Sequence, residues 1–62
     1  MQNSQKAQIY DDLLYESDKL QRINSRLKSE YAGNIPQHIQ EQINRNSARI
    51  AILVSTLEGL FN

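Results

Sequence analysis

Two long stretches of the chain repeat apolar residues at alternating steps of three and four positions. This spacing places side chains along one face of an α-helix, and over several turns it forms a seam by which two helices pack together. The first seam contains Ile9, Leu13, Glu16, Leu20, Ile23 and Leu27, and the second contains Ile39, Ile43, Asn46, Ile50, Leu53, Leu57 and Leu60. One polar residue interrupts each seam, Glu16 in the first and Asn46 in the second. Such a residue typically sets the register or the oligomeric state of a helical bundle at some cost in stability.

The break between the two seams is a short segment that contains one of the two glycines and the single proline of the chain. Gly33 can adopt the left-handed conformation that ends a helix, and Pro36 has the fixed backbone angle that suits the first residue of a new one. The pattern predicts a first helix over about residues 4–31, a turn at 32–35 and a second helix over about 36–60. Because so short a connection places consecutive helices side by side, we expect one all-α domain spanning the whole chain, an antiparallel two-helix hairpin that resembles a coiled coil.

Folding the two predicted helices together about Gly33 aligns their seams over the whole length of the hairpin. In this register Leu13 lies near Leu53, and the two polar seam residues fall in the middle third. Arg49 is then within reach of Glu16. We therefore expect an ion pair that links the two helices.

Residues 47–61 are more apolar than one partner helix can cover. The seam uses one face of this segment, but apolar side chains also lie on its flank and nearly on its opposite side. Burying three or four of them contributes about 1.5–3 kcal/mol each, enough to decide whether so small a hairpin folds. We expect this surface to bind another chain, either a second copy that completes a four-helix bundle or a different protein. The residues predicted to make the contact are Tyr10, Leu14, Ile52, Val54, Leu57 and Phe61.

The composition favours association with protein over association with nucleic acid or a membrane. The chain has 62 residues, no cysteine, and seven basic and seven acidic side chains. A core of this size without disulfides is marginal, so oligomerisation is the expected extra stabiliser. Zero net charge produces no long-range field that attracts nucleic acid or an anionic bilayer. The N-terminal residues are polar, and the longest uncharged apolar run is far shorter than the roughly 20 residues that span a bilayer. We expect a cytoplasmic protein without membrane insertion.

The residues available do not predict catalysis or cofactor binding. His38 is the single histidine and falls in the first turn of the second predicted helix, where a solvated position is expected. A zinc or catalytic site would need convergent partners, and only Glu41 is close to it in sequence. The chain has no glycine-rich loop that could hold a phosphate group. We therefore predict a protein that is not an enzyme and that uses no metal or cofactor.

Three basic residues, Lys19, Arg22 and Arg26, form a short stripe on the first predicted helix. Asp18 precedes Arg22 by four positions, a spacing that predicts an ion pair along the helix. The expected role of the stripe is a solvated surface, and the alternative is a phosphate-binding face of an RNA-binding bundle. Zero net charge and the lack of interleaved aromatic residues weigh against that alternative.

Several local features carry a resemblance to a known family: the turn Tyr31–Pro36, then Gln42, Ser47-Ala48, the aliphatic run Ala51–Val54, and Glu58-Gly59. With them the chain resembles the YscE-type co-chaperones of type III secretion. These are helical hairpins of similar length that help a tetratricopeptide-like chaperone to hold the needle subunit in the cytosol. The resemblance implies a non-catalytic partner of a helical-repeat chaperone. It places the contact on the apolar side of the second helix, at Ile52, Val54, Leu57 and Phe61.

The expected function is therefore that of a small co-chaperone or adaptor in a bacterial type III secretion system, which stabilises a helical-repeat chaperone and its needle-subunit cargo. The alternative is a homodimeric four-helix bundle with a regulatory role, like Rop or small phage regulators, and with RNA as its candidate ligand. The two differ in what covers the apolar surface. The first needs a different protein, and the second needs a second copy.

Overall fold

The computed structural model describes the backbone of residues 2–60 and the side chains of residues 4–60. Two helices, α1 (Gln2–Glu30) and α2 (Gln37–Leu60), account for the secondary structure of this part of the chain, which contains no strand. They pack along each other and form a rod about 49 Å long. The predicted all-α antiparallel hairpin is confirmed. The ends of the helices agree with the predicted ones to within two residues.

The turn between the helices depends on backbone groups and on one glycine. Gly33 has a φ of +91°, which lies in the left-handed region. The amide of Asn34 donates to the carbonyl of Tyr31 over 3.1 Å and closes the turn. The carbonyl of Pro36 accepts from the amides of Ile39 and Gln40, at 3.1 and 2.9 Å. Pro36 therefore lies just before α2 and accepts the first hydrogen bonds of that helix.

We expect the substitution Gly33→Ala to lower the free energy of unfolding by about 1–2 kcal/mol, because a side chain is strained at positive φ. No heavy atom lies within 4 Å of where the new Cβ would be, so the cost comes from the backbone and not from a clash. Urea unfolding followed by circular dichroism measures the change. Gly59→Ala is the matched control, since Gly59 lies inside α2 with equally open space and alanine favours helix. Equal losses in the two variants would contradict this account of the turn.

The contact between the helices has a small apolar centre. Ile43 and Leu53 are buried, with 3% and 1% of their surfaces exposed. A ring of half-buried apolar residues surrounds them: Leu13, Leu20, Ile23, Leu27, Ile39, Ile50, Leu57 and Leu60. The predicted seam of α2 is therefore found between the helices. So little fully buried apolar surface leaves the isolated hairpin with a marginal core.

The predicted seam of α1 needs a correction. Ile9 remains 45% exposed, and Glu16 lies at the edge of the interface. Ser17 and Asn24 are buried instead, with 3% and 6% of their surfaces exposed. The helix is thus rotated slightly from the predicted orientation. A physical reason is that burying the Glu16 carboxylate would cost more free energy than burying a hydroxyl and an amide that find hydrogen-bond partners.

Candidate protein-interaction surface

A buried cluster of amide side chains joins the middle of the two helices. The Asn46 amide donates to Asn24 Oδ1 over 2.9 Å, and the Asn24 amide donates to the Ser47 hydroxyl over 3.2 Å and to the Ile43 carbonyl over 3.4 Å. The Gln42 amide in turn donates to Asn46 Oδ1 over 3.0 Å. Every buried polar side-chain atom in the described part of the chain has a partner. The cluster therefore fixes the rotation of α1 against α2 without leaving an unpaired buried group.

An ion pair joins the helices along one edge of the interface. Arg49 Nε and Nη2 donate to the two carboxylate oxygens of Glu16 over 3.0 and 3.4 Å, so the predicted contact is confirmed. The hydrogen bond to Glu16, together with its negative charge, raises the pKa of the Arg49 guanidinium. Both side chains remain about half exposed to water. A pair exposed in this way adds little stability, but it marks one side of the hairpin.

The contact of Ser47 with Asn24 and the ion pair identify opposite sides of the hairpin. Ser47 and Arg49 are two residues apart on α2, which separates them by about 200° around the helix axis. Ser47 contacts Asn24 on one side of the interface, and Arg49 contacts Glu16 on the other. Residues at steps of seven from these positions extend each side along the rod.

Among residues 4–60, every large apolar side chain that is exposed lies in the half of the hairpin away from the turn. The exposed fractions are 46% for Leu14 and 39% for Val54. The full set consists of Ile9, Tyr10, Leu14, Tyr15, Ile52 and Val54. We call this part of the molecule the open half, because it carries the free ends of both helices.

Three of the six predicted contact residues lie on the same side of the open half. Val54 is seven residues after Ser47, and Tyr10 is fourteen residues before Asn24, so both continue the side marked by the contact of Ser47 with Asn24. Leu14 is one helical turn from Tyr10 and lies beside it. The structure therefore groups Tyr10, Leu14 and Val54 across the two helices, a grouping that α1 alone or α2 alone does not reveal.

The other three predicted contact residues are placed differently. Ile52 is 56% exposed, but it lies two residues before Val54 and so about 200° away around α2. Leu57 is half-buried toward α1. Phe61 lies outside the residues that the structure describes. The role of all six in binding stays a prediction.

The side that carries Leu14 and Val54 is almost free of charge, and we call it the uncharged side. Its surface residues are Ala7, Tyr10, Leu14 and Gln21 on α1 and Gln40, Asn44, Ser47, Ala51 and Val54 on α2. Its charged residues lie at the ends of these rows and beside them: Lys28 follows Gln21 near the turn, Glu58 follows Ala51 near the open end, where Lys6 also lies, and Asp11 and Asp18 line one depression with Leu14 at the outer edge of α1. The opposite, charged side carries Asp12, Glu16, Lys19, Arg26, Arg45 and Arg49. The tertiary structure thus separates charged from uncharged surface.

The predicted basic stripe lies away from the uncharged side. Lys19, Arg22 and Arg26 line an open depression of about 400 Å³ on the outer face of α1. Arg22 forms the predicted ion pair with Asp18, at 3.0 Å. Within the described residues, no group of three histidine, aspartate or glutamate side chains is arranged to hold a metal ion. No helix in that part of the chain is long and apolar enough to cross a membrane.

Comparison with known proteins finds no matching family model, no similar curated protein and no similar solved structure. The resemblance to YscE-type co-chaperones therefore rests on the sequence features alone.

Proposed function

We propose that this hairpin is a non-enzymatic interaction module, which buries the apolar part of its uncharged side against helices of another protein chain. One observation carries the proposal: Leu14 and Val54 are exposed on the same side of the hairpin, where the described charged residues lie around the apolar part and not within it. Charged residues are depleted at the centres of protein interfaces, because each would lose its hydration on binding.

The shape of the surface supports helices as the partner elements. α1 and α2 run side by side along the rod. A third helix can pack along both of them on the uncharged side with its own apolar stripe, as helices do in bundles. Leu14 and Val54 would each contribute about 1.5–3 kcal/mol if fully buried there. Such a gain is large beside the stability of a two-helix domain.

The role we propose for this module is that of a small co-chaperone or adaptor in a bacterial type III secretion system. The partner would be a helical-repeat chaperone, whose helices would cover the open half and so stabilise both proteins. The sequence resemblance supports this class of partner. The exposed apolar residues are the reason to expect that a partner protein covers them.

The proposal predicts that Val54→Asp abolishes capture of the partner. A carboxylate at this position would have to be buried without a counter-charge, which costs several kcal/mol and corresponds to a loss of at least a hundredfold in affinity. Tagged protein is used to capture a partner from the native host, and the captured proteins are identified by mass spectrometry. We expect the wild type to retain a helical-repeat chaperone.

Ser55→Asp is the matched control for that experiment. It adds the same charge one residue away, at an exposed position on the outer face of α2, and should leave capture unchanged. Circular dichroism verifies that both variants remain helical. Capture of the same chaperone by all three proteins would contradict the proposed surface, and the absence of any helical-repeat protein would contradict the proposed role.

A further inference from the structure

The uncharged side has two chemically different halves. In the open half its surface residues are apolar, namely Ala7, Tyr10, Leu14, Ala51 and Val54. In the half near the turn they are mostly short or amide side chains, namely Gln21, Gln40, Asn44 and Ser47, with Lys28 next to the turn. A molecule that covers the whole side must therefore present apolar groups at one end and uncharged polar groups at the other.

A second copy of the same chain presents this distribution when its turn lies at the same end as the turn of the first copy. When the turns of two hairpins lie at the same end, the apolar half of each uncharged side meets the apolar half of the other. The amide halves then meet in the same way, and α1 of each copy lies against α2 of the other. The arrangement has two-fold symmetry, so both copies use the same surface.

The opposite direction is disfavoured by charge. If the turns lay at opposite ends, burying Leu14 against Leu14 of the second copy would bring α1 against α1. Asp11 and Asp18 lie three residues before and four residues after Leu14, so Asp11 of one copy would face Asp18 of the other. Like charges placed across an interface in this way are destabilising. With the turns at the same end, Asp18 faces the uncharged part of α2 around Ala51, and Glu58 is the acidic residue on that side of α2 near Asp11.

The available area is adequate for a stable pair. The hairpin measures about 49 Å by 15 Å, so one broad side presents roughly 700 Å², close to the ~800 Å² that each partner contributes to a standard interface. The small core of the single hairpin makes this additional burial useful for stability.

We propose that, in the absence of another partner, two copies associate through the uncharged side as a four-helix bundle with both turns at the same end. The inference rests on the proposed function, because it assigns an occupant to the same surface. In this dimer the charged sides, with Arg49 and Glu16, face outward to water. A partner protein that binds through Val54 would have to displace the second copy.

The experiment measures the distance between the two turns. The chain has no cysteine, so Asn34→Cys gives a single labelling site for a nitroxide at an exposed turn position, where only the backbone amide is used in a hydrogen bond. Light scattering gives the mass from micromolar to millimolar concentration, and double electron–electron resonance gives the distance. We expect twice the chain mass and a label separation of about 15–30 Å, as for neighbouring helices with flexible labels.

Two results would overturn the inference. One is a chain that stays monomeric at millimolar concentration. The other is a dimer with labels separated by about the 49 Å length of the rod or more, which places the turns at opposite ends. Adding Val54→Asp to the labelled protein should remove the dipolar signal, whereas adding Ser55→Asp should retain it.

The results also separate this inference from the proposed function. A monomer that captures a helical-repeat chaperone through Val54 would overturn the dimer and leave the proposed function intact. A dimer with adjacent turns and no Val54-dependent capture of a chaperone would support the dimer and overturn the proposed function.

Discussion

The substitution Leu53→Ala should destabilise the hairpin by about 2–5 kcal/mol, the usual cost of removing a fully buried leucine side chain. Leu53 is the most deeply buried large side chain, with 1% of its surface exposed. A domain of this length has a total stability of roughly 3–9 kcal/mol at 0.05–0.15 kcal/mol per residue. We therefore expect a large fraction of Leu53→Ala to be unfolded at 25 °C. Helicity measured by circular dichroism in a urea series, at one fixed protein concentration, tests this result.

Ile52→Ala is the matched control for the core. It removes a similar aliphatic side chain at the adjacent position, but Ile52 is 56% exposed and lies on the outer part of α2. Its loss should cost less than about 1 kcal/mol, as is usual for exposed sites. If the two variants lost equal stability, Leu53 would not be the centre of the contact between α1 and α2. The difference between them thus measures how far the fold depends on its small apolar core.

The second large effect concerns the amide cluster. Asn24→Ala leaves the buried Asn46 amide without its acceptor at 2.9 Å and should lower the free energy of unfolding by about 1–3 kcal/mol. The double variant Asn24→Leu with Asn46→Leu removes both partners together. It should recover most of that loss or exceed the wild type, because two apolar side chains then replace a polar pair. Urea unfolding of the wild type, the single variants Asn24→Leu and Asn46→Leu, and the double variant forms a double-mutant cycle.

Asn44→Ala is the control for the loss of an amide. Asn44 accepts a hydrogen bond from Gln40 over 3.0 Å, but on the exposed surface of α2, so its removal should change stability by no more than about 0.5 kcal/mol. A cycle with no coupling between Asn24 and Asn46 would show that the cluster does not hold the helices in register. In the double leucine variant we also expect poorer dispersion of the amide resonances in NMR spectra, because the polar pair no longer selects one rotation of α1.

Much of the fold was predictable because it depends on local preferences. The steps of three and four predicted both helices, and Gly33 with Pro36 predicted the turn. The seam of α2 was predictable because its apolar residues, such as Ile43 and Leu53, are large and few alternatives compete with them. The ion pair between Glu16 and Arg49 followed from the register alone.

The seam of α1 was less predictable, because two neighbouring stripes of that helix are both plausible. One contains Ile9 and Glu16, and the other contains Ser17 and Asn24. The first stripe contains more apolar residues, so the sequence alone favoured it. A signal for the second was present in the spacing of seven from Tyr10 through Ser17 and Asn24 to Tyr31, but polar residues at two of these positions concealed it.

The sequence by itself determined the helices, the turn and the antiparallel register, since each depends on residues close together in the chain or on matching seam lengths. Only the tertiary structure decided the rotation of α1, because hydrogen bonds of Asn24 with Asn46 and Ser47 across the interface select it. That rotation places Leu14 on the same side of the hairpin as Val54, and the ion pair of Glu16 with Arg49 on the opposite side. The separation of charged from uncharged surface is therefore a property of the packed pair of helices, and it cannot be seen in either helix alone.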